Sequence, residues 1–122
     1  MANIQELDKA IAAHGMWKAR LRKAIDERGL QISVETIRND HECAFGQWLF
    51  GSGLTAQDKA TSHFKTVKEL HARFHEVTAD IADLALKGKK AEAEALMAPT
   101  SEYHALSAKL TSAMMAWKKV SK

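Results

Sequence analysis

Apolar residues recur at alternating spacings of three and four in three stretches of the chain. Such spacing predicts amphipathic helices that each bury one stripe. The first stripe consists of Ile4, Leu7, Ile11, His14, Lys18, Leu21 and Ile25. The second consists of Phe64, Val67, His71, Phe74, Thr78, Ile81 and Ala85, and the third of Tyr103, Leu106, Leu110, Met114 and Trp117. The pattern therefore predicts three long helices, two of which carry a histidine at a core position.

Residues that commonly begin or end helices set the expected boundaries. Gly29 is placed to end the first long helix. Thr55 followed by Asp58 resembles a capping box with the shorter acid in place of Glu. We expect the second long helix to run from there to about Leu86 and to end at Gly88.

A connector and a short apolar helix are expected between the first two long helices. Residues 30–40 show no sustained period, which indicates a connector with one helical turn near Ser33. Asp40 is suited to cap the short helix, which residues 51–53 would end. The apolar residues of this short helix are Cys43, Phe45, Trp48, Leu49 and Phe50.

The last helical region is expected to start near Lys89, to be interrupted by Pro99, and to resume with the third stripe. No alternation typical of strands competes with these helices. The sequence thus predicts an all-α fold: an antiparallel four-helix bundle with a short second helix and a Pro-interrupted last helix.

Composition predicts one cytoplasmic domain spanning residues 1–122. A chain of 122 residues with 46% apolar and 27% charged residues has the usage of one globular core. The net charge of +3 is spread among interleaved acids and bases, which argues against nucleic acid as a partner. No apolar run approaches the length of a spanning helix and no signal pattern is present, so we expect no membrane insertion.

Three histidines and the single cysteine are the candidate chemistry. His71 and His75 lie one helical turn apart, and His14 and Cys43 fall at predicted inward positions of two other helices. Taken singly, each has an ordinary explanation: a hydrogen-bonded core histidine, a chance His-x-x-x-His pair, or a core cysteine. Taken together, three imidazoles and one thiolate form a closed tetrahedral set that suits Zn²⁺.

These residues carry a resemblance to the chemoreceptor zinc-binding domain family. The most specific element is Cys43-Ala44-Phe45-Gly46-Gln47-Trp48, of the form C-x-[FL]-G-x-W. His14 with Trp17 three residues later and the pair His71-x-x-x-His75 agree in order and spacing. The resemblance covers about residues 4–86 and matches the last helix in character alone.

The resemblance implies that His14, Cys43, His71 and His75 are zinc ligands. Within these motifs, Trp17, Phe45 and Trp48 would shield the site and Gly46 would allow close helix approach, or all four are ordinary core residues. Such domains occur in bacteria, attached to chemoreceptor signalling regions or diguanylate cyclases and sometimes alone. The implied function is sensory, coupling zinc occupancy or oxidation of Cys43 to helix packing. The implied partners are a second copy in a homodimer and proteins of chemotaxis or cyclic-di-GMP signalling.

Alternatives from other classes remain open. A closed site leaves no position for water, and no catalytic constellation accompanies it, so we do not expect an enzyme. Zinc could simply staple the bundle or support a dimerisation module. A hemerythrin-like di-iron site would need more histidines and bridging carboxylates. His41, His63 and His104 are left outside the expected ligand set.

Overall fold

The computed structural model describes residues 4–27, 34–39, 44–51 and 54–120. Within these ranges the regular structure is entirely helical, which confirms the predicted all-α class. The helices in chain order are α1 Ile4–Gly15, α2 Trp17–Glu27, α3 Val34–Arg38, α4 Ala44–Phe50, α5 Ala56–Lys59, α6 Ser62–Leu86, α7 Lys90–Leu96 and α8 Glu102–Val120. None of these helices is long and apolar enough to cross a membrane. The antiparallel four-helix arrangement stays a prediction.

The first predicted helix forms as two segments, α1 and α2, joined at Met16. The Met16 amide donates to the Ala12 carbonyl, and the Met16 carbonyl accepts from the Arg20 amide. Because helical hydrogen bonds continue through the junction, the predicted inward stripe is largely kept, and His14 is buried as expected. Lys18 is exposed. Gly29, the predicted end, lies outside the described residues.

The predicted start of the second long helix is wrong, because a separate short helix, α5, precedes it and the long helix α6 starts only at Ser62. The Thr55 and Asp58 capping box exists, with both side-chain to backbone hydrogen bonds formed, but it caps only the one-turn α5. Thr61 then caps α6: its hydroxyl accepts from the Phe64 amide at 3.2 Å and donates to the Asp58 carbonyl at 2.7 Å. A second strong cap thus restarts the helix at Ser62.

The ends and faces of the long helices agree with the sequence pattern. Helix α6 ends at Leu86, and Gly88 follows with a φ of 78°, a left-handed conformation that favours glycine. All seven residues of the second predicted stripe and all five of the third are buried. Pro99 separates α7 from α8. Helix α6 is central among the described elements, since α2, α3, α5, α7 and α8 all contact it.

The two short helices α3 and α4 stand where the connector and the short apolar helix are expected. Helix α3 forms one turn that rests on α6, and α4 contacts α1. Helix α4 ends before Gly51, where a Cβ would lie 2.6 Å from the Gln47 carbonyl oxygen. That approach explains a glycine at this helix end. Asp40 and Cys43 lie outside the described residues.

Candidate metal centre

Three histidines from α1 and α6 meet in the core. His14, His71 and His75 expose 6%, 0% and 2% of their surface. The Nε2 atom of His71 lies 3.1 Å from Nε2 of His14 and 3.1 Å from Nε2 of His75. One ligand atom from each ring lies within 4.8 Å of the others. The structure therefore brings together all three predicted histidines.

Two backbone carbonyls fix the proton positions on the outer rings. Nδ1 of His14 lies 2.8 Å from the Ala10 carbonyl oxygen, and Nδ1 of His75 lies 2.7 Å from the Ile37 carbonyl oxygen. A carbonyl oxygen only accepts, so both Nδ1 atoms must carry hydrogen and donate. In the neutral rings, the Nε2 atoms of His14 and His75 then present lone pairs toward His71.

Burial keeps the His14 ring neutral. It lowers the pKa of His14 from 6.5 to about 4; the hydrogen bond to Ala10 opposes this effect, and the electrostatic effect of the neighbouring His75 adds to it. His14 is therefore an imidazole with a free Nε2 lone pair at neutral pH. A ligand histidine needs the same protonation state.

The cluster fits a divalent metal better than it fits histidines alone. His71 can carry at most one hydrogen on Nε2, and that hydrogen can be directed at only one of the two neighbouring lone pairs, so the other nitrogen–nitrogen contact has no hydrogen between its atoms. A cation among the three Nε2 atoms satisfies all of them. Tetrahedral zinc with ordinary zinc–nitrogen bonds separates ligand nitrogens by about 3.3 Å, close to the two observed distances.

Aromatic rings form the walls of the cluster. The ring of Phe45 contacts His14 and His71 edge-on, with centroids 5.8 Å and 5.1 Å away. The ring of Phe74 lies 5.4 Å from that of His14 and 6.1 Å from that of His75. Apolar walls exclude water and lower the local dielectric, which strengthens ligand–metal electrostatics.

The predicted shielding residues differ in their positions. Phe45 lies directly against the histidines, whereas the half-buried Trp48 packs on Phe45 with centroids 5.5 Å apart. Trp17 is buried, with the guanidinium of Arg20 over its ring at 4.9 Å. Gly46 is buried, in keeping with close packing of α4.

The remaining candidate ligands do not join the cluster within the described residues. Cys43 and His41 lie outside the described part of the chain. His63 is half-buried, His104 is exposed, and neither belongs to the histidine cluster. The cluster holds no carboxylate among the residues described, whereas a di-iron site needs bridging acids.

Sequence reasoning missed three groups around the centre: the carbonyls of Ala10 and Ile37, and the ring of Phe74. Ala10 stands four residues before His14 on the same helix, so that carbonyl could have been anticipated from helix geometry. Phe74 was expected to be core but not to line the site. Nothing in the sequence marks the Ile37 carbonyl, because it depends on how α3 packs against α6.

Comparison with known proteins agrees with this centre. The family model described as the chemoreceptor zinc-binding domain matches residues 14–82, more than half of the 122-residue chain. The matched range begins at His14 and includes His71 and His75. No curated protein and no solved structure gave a significant match. The chain therefore belongs to the chemoreceptor zinc-binding domain family.

Proposed function

We propose that this protein is a zinc-binding sensory or regulatory domain whose ligands are His14, Cys43, His71 and His75. The observation that carries the proposal is the convergence of three buried Nε2 atoms, two of them fixed as lone-pair donors by backbone carbonyls. Neutral imidazoles and a thiolate are ligands typical of zinc. The family supports the same metal.

Cys43 is proposed as the fourth ligand because of its place in the chain. It directly precedes Ala44, the first residue of α4, and Phe45 contacts two of the three histidines. Two residues of chain span at most roughly 7 Å between Cα atoms, and we propose that this tether to Phe45 brings the Cys43 thiolate to the cluster. Bound zinc would then join α1, α6 and the start of α4.

A line of aromatic rings supports a route from this centre to α8. The ring of Trp48 packs between Phe45, on the histidines, and Trp117 of α8, with centroids 5.5 Å and 5.7 Å away. Trp117 also meets Phe64 near the start of α6. A shift of α4 on metal release would change this packing. We propose that a second copy or a bacterial chemotaxis or cyclic-di-GMP signalling protein senses the change.

Oxidation of Cys43 is the proposed second input. Hypochlorous acid can transfer OH to the thiolate sulfur, giving a sulfenic acid and chloride in a two-electron oxidation of sulfur. A sulfenic acid is a poorer ligand than a thiolate, so oxidation would weaken zinc binding.

The alternative is that zinc has a purely structural role and only holds the helices together. The same cluster is consistent with that role, because its histidines lie on two separate helices. Removal of zinc with a chelator, followed by far-UV circular dichroism and tryptophan fluorescence, separates the two. A regulatory domain keeps its helix content but changes its fluorescence reversibly. A structural staple loses its helix content.

Tryptophan variants locate the response. If the aromatic line through Trp48 carries the change, the zinc-dependent fluorescence signal should persist in Trp17→Phe and shrink sharply in Trp48→Phe. A signal that disappears in Trp17→Phe instead would contradict the route through α4.

A further inference from the structure

The two outer histidines are held in different ways. Nδ1 of His14 donates to Ala10 on its own helix, so that hydrogen bond exists wherever α1 is helical. Nδ1 of His75 donates to the Ile37 carbonyl on α3, a separate element 38 residues away in the chain. The orientation of the His75 ring therefore depends on the docking of α3 against α6.

Helix α3 has few means of holding its own shape. It has five residues, far fewer than an isolated helix needs for stability in water. As one of its last residues, Ile37 presents a carbonyl without an intrahelical partner, which is why it is free to accept from His75. Docking thus supplies both the position of α3 and the acceptor for the imidazole.

Contacts in the core and on the surface dock α3 on α6. The Ile37 side chain is 1% exposed in the core, and its carbonyl accepts from His75 at 2.7 Å. On the surface, the Arg38 guanidinium lies 2.9 Å from the Asp80 carboxylate. Asp80 lies five residues after His75 on α6, and Arg38 lies one residue after Ile37 on α3. The ion pair therefore joins the same two helices next to the hydrogen bond.

We propose that α3 is a latch: its docking on α6 and metal binding by His75 stabilise each other, with Arg38 and Asp80 as positioning residues. This inference rests on the proposed zinc-binding function and names the element that responds to it. Reciprocity follows from linkage, because a contact that favours the ligand orientation must itself be favoured by the bound metal. In the sequence, Arg38 precedes Cys43, the proposed fourth ligand, by five residues.

Charge reversal at the ion pair tests the latch. In Arg38→Glu a second carboxylate would face that of Asp80, and in Asp80→Arg two guanidinium groups would meet. We expect each single variant to release Zn²⁺ to a chromophoric chelator about fivefold faster than wild type, the order of effect of an exposed ion pair. The double variant Arg38→Glu/Asp80→Arg should restore most of the wild-type rate.

Arg73 provides the matched control. It lies on the same helix, only two residues from His75, and pairs with Glu102 of α8 at 2.8 Å with similar exposure. Arg73→Glu disturbs α6 as much or more but leaves α3 untouched. Its zinc release rate should equal that of wild type, and an equal acceleration in both variants would overturn the latch in favour of general destabilisation.

A metal-free readout separates failure of the latch from failure of zinc binding. In chelator-treated protein, the Nδ1 hydrogen of His75 should give a slowly exchanging nitrogen-15 NMR signal that weakens in Arg38→Glu and returns in the double variant. If wild type binds zinc, but Arg38→Glu shows the same zinc release rate and the same NMR signal as wild type, the latch is overturned and the zinc-binding function is not. Wild type that binds no zinc overturns the proposed function, and the NMR comparison still decides the latch.

Discussion

At the scale of single residues, two backbone carbonyls prepare the histidine cluster for a cation. By accepting hydrogen bonds from Nδ1 of His14 and His75, they direct the Nε2 lone pairs of both rings toward His71. Burial keeps the His14 ring neutral, because a charged imidazole would lose its hydration. The same feature that favours metal makes the metal-free protein sensitive to acid.

The metal-free protein should lose stability as pH falls below neutral. The pKa of His14 is about 4 when folded and 6.5 in its ordinary state, so the unfolded chain binds the proton more readily. The stability contributed by this depressed pKa is complete above about pH 6.5 and is lost toward pH 4, amounting to about 3 kcal/mol at most. Urea unfolding of chelator-treated protein across this range measures it.

His14→Gln is the control for this titration. It removes the ionisable ring while keeping a polar side chain, so its free energy of unfolding should fall less steeply with pH between 6.5 and 4. A slope identical to that of wild type would show that His14 does not titrate with folding. Carboxylates titrate equally in both proteins and cancel in the comparison.

At the scale of helices, periodicity could be read from the sequence but competing caps and docking could not. The buried faces of α6 and α8 follow from their spacing alone, as does the inward position of His14. The break between α5 and α6 was missed because Thr55 and Thr61 both cap well and the second restarts the helix. The role of Ile37 was missed because it depends on packing between elements that are distant in the chain.

The N-cap of α6, Thr61, can be tested by truncating its side chain. Thr61→Ala removes the hydroxyl that accepts from the Phe64 amide and donates to the Asp58 carbonyl. We expect a loss of about 1 kcal/mol in the free energy of unfolding, as for other N-cap threonines. Thr66→Ala, at an exposed position within the same helix, should change stability little, and equal losses in both would argue against the cap.

Replacing Gly51 or Gly15 with alanine should change the stability of the protein in opposite directions. At Gly51 a Cβ would meet the Gln47 carbonyl oxygen at 2.6 Å, so Gly51→Ala should destabilise the end of α4 by about 1–3 kcal/mol. At Gly15, within α1, a Cβ meets nothing within 4 Å, so Gly15→Ala should stabilise by about 0.5–1 kcal/mol. Thermal unfolding of both variants checks the pair. A stabilising Gly51→Ala would contradict the close approach.

At the scale of the whole molecule, the histidine cluster joins α1 to α6, the helix that most other described elements contact. A ligand that binds only the folded state stabilises it in proportion to the logarithm of its concentration over its dissociation constant. Free zinc at a hundredfold excess over that constant would add about 2.7 kcal/mol. Zinc should therefore raise the unfolding temperature, and a chelator should lower it.

Oxidant should release zinc only through Cys43. We expect mild hypochlorous acid to transfer zinc from wild type to a chromophoric indicator. Cys43→Ala, reloaded with zinc at high concentration, should show no oxidant-dependent release, because it lacks the only proposed ligand with an oxidisable sulfur. Equal oxidant-dependent release from both proteins would place the sensitive group elsewhere.

Zinc content is the most direct test of the central claim that this cluster binds zinc. Plasma mass spectrometry on purified wild type should find near-stoichiometric zinc, and the same should hold for His104→Ala, which removes an exposed histidine outside the cluster. His71→Ala and Cys43→Ala should each lose most of it, because each removes a proposed ligand. Wild type without metal in an undepleted preparation, or full zinc retained in His71→Ala, would contradict the account.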